Sequence, residues 1–345
     1  PQGAIRLNTD SQKLEFYVDN QWYEMATDVP TLDRGVRGVF GGSYTYGPGT
    51  RAKTNVIDYI TVPTTGNATD FGDLTETRGT GGAGASRTRG IWCGGDINPE
   101  SNKTSDTVDF VTISSTGNAT DFGNLTQRRG HGNAVMSNQT RIVCAGGNNQ
   151  VSPSVLDTID FATIASTGDF IDFGDISTPI YGVSGAGNPV RGIISNGDLG
   201  PAYDNTIRFI TIPTKGDSTD FGESTVSSSG PGALSSSTRC LIGSGSGPGT
   251  PGLHNTIDFI TIATLGNAID FGDNDFSDPH RFPGTATDCV RGVFAGGYGN
   301  PPSYPVVTKM DYVQIVTKGD AKDFGDLTNS GAAQHSGCSN GHGGL

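Results

Sequence analysis

Residues 255–273 read NTIDFITIATLGNAIDFGD: a β-branched and aromatic run through Ile262, then Gly266-Asn267, then Asp270-Phe271-Gly272. Ile, Thr and Phe suit a pleated, packed surface, so the run is expected to be a strand. Glycine followed by Asn or Asp offers the positive φ of a tight hairpin turn, so the Asp-Phe-Gly segment is expected to return antiparallel to that strand. The pattern occurs again at 55–73, 106–124, 157–175, 205–223 and 308–326. Its Asp-Phe-Gly begins at Asp70, Asp121, Asp172, Asp220, Asp270 and Asp323, at spacings of 51, 51, 48, 50 and 53. Self-similarity at a period near fifty marks a repeat architecture.

Upstream of each run is another apolar strand that begins at an arginine: Arg37, Arg89, Arg141, Arg191, Arg239 and Arg291. Four of these end in a glycine pair, at Gly41-Gly42, Gly94-Gly95, Gly146-Gly147 and Gly296-Gly297, whereas two units carry Ser195-Asn196-Gly197 and Gly243-Ser244-Gly245. A small, glycine-rich strand precedes the later arginine strands, as in RGTGGAGAS from Arg78, and suits the crowded centre of a propeller. The first unit has no such strand ahead of Arg37, while the C-terminal NSGAAQHSGCSNG from Asn329 has the pattern and no partner. The expected fold is therefore all-β, a six-bladed propeller closed by the C-terminal strand, spanning residues 28–345.

Composition agrees with short strands and many turns. Glycine makes up 53 of 345 residues, about twice its usual share of roughly 7%. A net charge of −13, with no cluster among the 22 Lys and Arg, argues against a nucleic-acid partner. No stretch approaches about 18 apolar residues, so no membrane insertion is expected. The five cysteines include no C-x-x-C and read as buried free thiols; Cys93 and Cys144 fall at nearly equivalent positions of two repeats.

The repeat resembles the kelch repeat: an Arg-Gly inner strand, an apolar strand ending in Gly-Gly, an aromatic in the third strand and another about a dozen residues on. The third-strand aromatics are Tyr59, Phe110, Phe161, Phe209, Phe259 and Tyr312. The Phe of Asp-Phe-Gly stands where kelch proteins usually have Trp, which marks a divergent, kelch-like class.

Residues 1–27 lie outside the repeat. GAIRLNT, KLEFYV and QWYEM alternate in the manner of three short strands, a meander too small to be stable alone. This segment resembles a module of bacteriophage fibre proteins, through Gly3, Ile5, Arg6, Asn8, Thr9, Lys13, Glu15, Tyr17 and Trp22. The recurring T-G-N-A-T-D-F-G-D-L-T is similar to repeats in virion proteins of tailed phages of the cyanophage type. Together these resemblances imply a virion structural protein, a tail or head fibre or a capsid decoration. It would be made in the host cytoplasm, anchored through Ile5, Arg6, Tyr17 and Trp22 to other virion proteins and oligomeric in the particle.

Loops between second and third strands vary most, and on a propeller they share one face with the connections between blades. Tyr44, Tyr46, Tyr203, Tyr298 and Tyr304 are the binding candidates there, because tyrosine offers a ring to stack on a host-surface glycan or receptor and a hydroxyl to bond it. The six arginines and the six Asp-Phe-Gly aspartates, being repeated in every unit, read as structural ties. Arg208 departs from the pattern, standing where other units have Asp58, Asp109, Asp160, Asp258 and Asp311.

No catalytic residues, cofactor or metal ligands are expected. His131, His254, His280, His335 and His342 lack paired spacing, and the acidic run Asp273-Asn274-Asp275 with Asp278 lacks the glycine and terminal glutamate of an EF-hand loop. Two readings compete with the virion protein: a carbohydrate-active enzyme or lectin domain on the same scaffold, and an intracellular kelch-type interaction module.

Overall fold

The computed structural model describes residues 3–8, 13–18, 20–24, 36–47, 50–79, 81–98, 103–248, 252–274, 281–299, 306–328 and 335–345. Two compact units divide the chain, Pro1–Gly35 and Val36–Leu345. The expected boundary after residue 27 falls among residues 25–35, outside the described ones.

The first unit holds β1 (Ile5–Asn8), β2 (Lys13–Val18) and β3 (Gln21–Glu24), antiparallel in that order, as the alternation predicts. Register places Arg6 opposite Glu15 and Tyr17 opposite Trp22. Arg6 Nε donates to Glu15 Oε2 at 2.8 Å and its guanidinium lies 4.1 Å from the Trp22 ring centroid; Tyr17 packs on Trp22 at 5.1 Å. Ile5, paired with Phe16, projects to the opposite face and is 63% exposed. The four anchoring candidates are thus divided between two faces.

Among the described residues the second unit has no helix and six antiparallel sheets of four strands, an arrangement compatible with a propeller. Sheet I runs β4 (Arg37–Gly47), β5 (Thr50–Thr61) and β6 (Thr69–Asp73). Sheet II is β7 (Gly82–Ala85), β8 (Arg89–Asn98), β9 (Lys103–Thr112) and β10 (Thr120–Asn124). Sheet III is β11 (Ala134–Ser137), β12 (Arg141–Ala145), β13 (Thr158–Thr163) and β14 (Ile171–Asp175). Sheet IV is β15 (Ser184–Gly187), β16 (Arg191–Asp198), β17 (Tyr203–Thr211) and β18 (Thr219–Glu223). Sheet V is β19 (Gly232–Ser235), β20 (Arg239–Gly243), β21 (Thr256–Thr261) and β22 (Ile269–Asp273). Sheet VI is β23 (Gly284–Thr287), β24 (Arg291–Tyr298), β25 (Val306–Gln314) and β26 (Lys322–Asp326). The last strand, β27 (Ser336–Ser339), pairs with β4 and supplies the fourth strand of sheet I. The glycine-rich strands adjoin one another in succession, β7 with β11, β11 with β15, β15 with β19, β19 with β23, β23 with β27 and β27 with β7.

The repeated residues tie neighbouring sheets. Each arginine stacks on the third-strand aromatic of its own sheet, as Arg89 does on Phe110 at 4.6 Å, and each donates to a carbonyl of the next sheet, as Arg89 Nη1 does to Ile164 O at 2.7 Å. That aromatic meets the buried Asp-Phe-Gly phenylalanine edge-on, as in Phe110–Phe122 at 6.0 Å. The structural role expected for the arginines holds. The Asp-Phe-Gly aspartates lie exposed instead, and the third-strand aspartates do the tying. Thr75 Oγ1 donates to Asp109 Oδ1 at 2.6 Å and Arg78 Nη2 to Asp109 Oδ2 at 2.8 Å; Thr126 and Arg129 treat Asp160 alike.

Arg208 is explained by the same contact. The position of Arg78 and Arg129 is taken in sheet III's connection by Ile180, so the cation has moved to the other side of the interface. There Arg208 Nη2 pairs with Asp204 at 2.8 Å within its own strand, and Nε reaches Ser177 Oγ at 3.4 Å.

Gly-Asn and Gly-Asp do not form the tight turn expected of them. The chain turns a few residues earlier, where Thr64 N donates to Thr61 O, and the glycine pair docks on the preceding sheet. Gly117 N donates to Phe71 O at 2.8 Å, and Asn118 Oδ1 accepts from Asp73 N at 3.1 Å. The Asp-Phe-Gly glycine makes this approach possible: a Cβ on Gly72 would stand 2.4 Å from Gly117 O.

Candidate functional site

Three of the glycine pairs and the Ser-Asn-Gly of sheet IV form β-bulges, with register shifts at Gly41/Ser43, Cys93/Gly95, Ser195/Gly197 and Ala295/Gly297. In sheets II to VI the end of the second strand, or the chain just past it, forms an isolated backbone bridge with the connection that enters its sheet. The bridges are Gly79–Asp96, Gly130–Asn148, Tyr181–Asp198, Ser229–Ser246 and Arg281–Tyr298. The backbone thus repeats while its side chains differ from sheet to sheet, which gathers non-repeating residues on the loop-bearing face.

Across sheets I to IV these side chains interact in sequence. Lys53 Nζ lies 5.1 Å from the Tyr44 ring, and Tyr44 donates its hydroxyl to Asp96 Oδ2 at 2.9 Å. His131 Nε2 stands 3.7 Å from Asp96 Oδ1, and the His131 ring meets Tyr181 edge-on at 6.5 Å. Burial pushes the Tyr181 phenol up to about 12, helped by a hydrogen bond to Asp198 and by nearby Tyr203. Burial also lowers Lys53 to about 8, with Asp96 opposing. On sheets V and VI, Arg281 lies 5.7 Å from the Tyr298 ring and 5.6 Å from that of Phe282.

Two of the five tyrosine candidates, Tyr44 and Tyr298, are corrected by this arrangement. Tyr44 and Tyr298 are interior, 9% and 4% exposed, and pack with Phe282 and Val306. Tyr203 is half-buried at the rim beside Tyr181, whereas the Tyr46 side chain and Tyr304 lie outside the described residues. Sequence reasoning missed Lys53, Asp96, Tyr181, Asp198 and Arg281. Asp96 and Asp198, like Tyr298, each directly follow the last glycine of a bulge, and that is the signal which finds those two acids.

Along the small strands run two narrow cavities of about 50 Å3 each. Asn133, Phe282 and His335 line one, and Ser137, Ser235, Ser339 and His342 the other. Sites for organic ligands usually enclose about 300–1,000 Å3, so these cavities suit water or an ion. Among the described residues no group of three or more His, Cys, Asp or Glu side chains is placed to hold a metal ion. Asn274, read with the acidic run, is turned inward to Ser244; Asp275, Asp278 and His280 lie outside the described residues. The five cysteines are unpaired thiols, four of them buried, as expected.

A scan against protein-family models finds no match to this chain, and neither does a comparison with curated protein sequences.

Proposed function

We propose that the chain is a non-enzymatic structural protein of a tailed-phage virion whose repeat forms a six-bladed, kelch-like β-propeller closed by the C-terminal strand. Its loop-bearing face binds a host-surface glycan or receptor, and the N-terminal sheet anchors it to other virion proteins. Closure is supported by the pairing of β27 with β4 and by Arg291, which donates to Val62 O of sheet I as the other arginines donate to their following sheets. The virion reading rests on the sequence resemblances of the repeat and of residues 1–27.

The binding reading is carried by one observation: repeated polar residues are consumed between sheets, while non-repeating Asp96, His131, Tyr181, Asp198 and Tyr203 gather on one face. The half-buried Asp198 carboxylate can accept sugar hydroxyls and the neighbouring aromatic rings can stack on sugar faces, while buried Asp96 holds Tyr44 in place, so this set fits a saccharide better than an apolar ligand. Glycan-array and cell-binding assays on the full chain test it. Saturable binding is expected, weakened about tenfold or more by Asp198→Asn or Tyr203→Ala, a loss of about 1.4 kcal/mol. Absence of any binding overturns the adhesion reading in favour of capsid decoration. Undiminished incorporation of a chain lacking residues 1–27 overturns the anchoring role. Turnover of an oxidase or glycosidase substrate overturns the non-enzymatic assignment.

A further inference from the structure

Side chains alternate faces along a strand, so on each arginine strand the fourth residue after the arginine faces the next sheet and the third faces the preceding one. These two positions meet at every interface, small against large. Gly41 lies against Trp92, where an added Cβ would be 2.7 Å from the indole Nε1, and Gly243 lies against Phe294, 3.1 Å from its Cζ. Ala145 shares a core with Ile194, and Ala295 with Phe40. Between sheets IV and V the two positions hold Ser195 and Ile242.

Between sheets II and III the rule is broken by two equal groups. Cys93 occupies the small position and Cys144 the large one, and both are fully buried in one core. The Asn133 amide spans them, donating from Nδ2 to Cys144 Sγ at 2.8 Å and to the Cys93 carbonyl at 3.3 Å. The spacing of 51 residues that looked like near-equivalence is therefore one residue short of equivalence, and that offset turns the two sulfurs toward each other.

We infer that Cys93 and Cys144 form an oxidation site, a facing dithiol that closes to a disulfide between sheets II and III when a peroxide reaches it. Burial raises the Cys93 thiol well above its usual range. Burial also acts to raise Cys144, but the hydrogen bond from Cys93, the Arg129 guanidinium and the Asn133 amide outweigh it, so Cys144 ionises first. The Cys144 thiolate attacks one peroxide oxygen; the S–O bond forms, the O–O bond breaks, and the departing hydroxide leaves as water. Cys93 sulfur then attacks Cys144 sulfur; the S–S bond forms, the S–O bond breaks, and a second water leaves with the Cys93 proton. Two thiols are oxidised and one peroxide is reduced to two waters. Hydrogen peroxide, little larger than water, is the oxidant class suited to thiols with no exposed surface.

The test is peptide mapping of the native full chain after hydrogen peroxide treatment, with remaining thiols alkylated during unfolding. The expected result is a Cys93–Cys144 linked peptide, loss of two alkylatable thiols per chain, and Cys240, Cys289 and Cys338 still alkylatable. Thermal unfolding of the oxidised chain should shift upward, because a cross-link restricts the unfolded ensemble. That shift should vanish in Cys93→Ala, and the wild-type peptide map decides alone if the variant does not fold. Recovery of Cys93 and Cys144 as separate alkylated or sulfinic peptides, or a link to any other cysteine, overturns the inference.

Discussion

Arg291 donates to the carbonyl oxygen of Val62 at 3.2 Å while its guanidinium lies 4.4 Å from the Tyr312 ring centroid, so one side chain ties sheet VI to sheet I across 229 positions of sequence. The other five arginines make the same pair of contacts between sheets consecutive in the chain. Charged hydrogen bonds contribute about 1.5–3 kcal/mol and cation–π contacts about 0.5–2 kcal/mol, and these overlap when one group makes both. Arg291→Met keeps much of the apolar stem and removes both contacts. It should cost roughly 2 kcal/mol, read as a lower urea midpoint with an unchanged slope. An unchanged midpoint would mean that the seam is held by β27 alone.

The buried pair Arg129–Asp160 permits a sharper test, because neither side chain has exposed surface. Removing one member leaves a charge uncompensated, so Arg129→Met should cost about 3–5 kcal/mol, and the double variant Arg129→Met/Asp160→Leu less than that. The relocated cation of sheet IV gives the complementary experiment. Arg208→Asp alone places a new carboxylate beside Asp204 with no arginine at position 180. Adding Ile180→Arg rebuilds the arrangement of Arg78 with Asp109 and of Arg129 with Asp160, and should recover part of the loss. If Arg208→Asp is neutral in chemical denaturation, the swap has no energetic meaning.

Gly117 and Gly123 separate backbone strain from steric approach. Both adopt φ values rare for other residues, +154° and +144°, but a Cβ on Gly117 meets open space, whereas on Gly123 it would lie 2.5 Å from the backbone of Gly168. Gly123→Ala must part sheets II and III and is expected to lower the melting temperature well below that of Gly117→Ala. Equal losses would show that φ alone sets the cost and that the docking of Gly168 adds nothing.

The repeat made the strands, their order and the partner of β27 legible, because period and residue type are local properties. The role of Gly-Asn was not, since its partners lie in another sheet some 45 positions away, as in Asn118 with Asp73. Tyr44 and Tyr298 were misplaced for a different reason. A bulge at Gly41/Ser43 resets the alternation, so parity counted from Arg37 no longer says which way Tyr44 points, and it turns inward to Asp96. The rim was hidden likewise. Asp96 and Asp198 look like ordinary loop acids until the backbone bridges to Gly79 and Tyr181 fix their places.

His342 should make stability depend on pH. It sits in the C-terminal turn against the small strands, where its Nε2 lies 2.7 Å from Ala85 O and 3.3 Å from Ser137 Oγ, and Gly344 N donates to its Nδ1 at 3.0 Å. Burial lowers its pKa below the usual 6.5, with the Ala85 carbonyl opposing. The unfolded chain therefore takes up the proton at higher pH than the folded one. The favourable contribution of neutral His342 is complete above the unfolded value and is lost as pH falls below about 6.5 toward the lower folded value. Half-buried His254, also lowered by burial, adds in the same direction. Unfolding free energy measured from pH 7.5 to 5 should fall in wild type and fall less steeply in His342→Gln. A variant slope equal to that of wild type would assign the pH dependence to other groups.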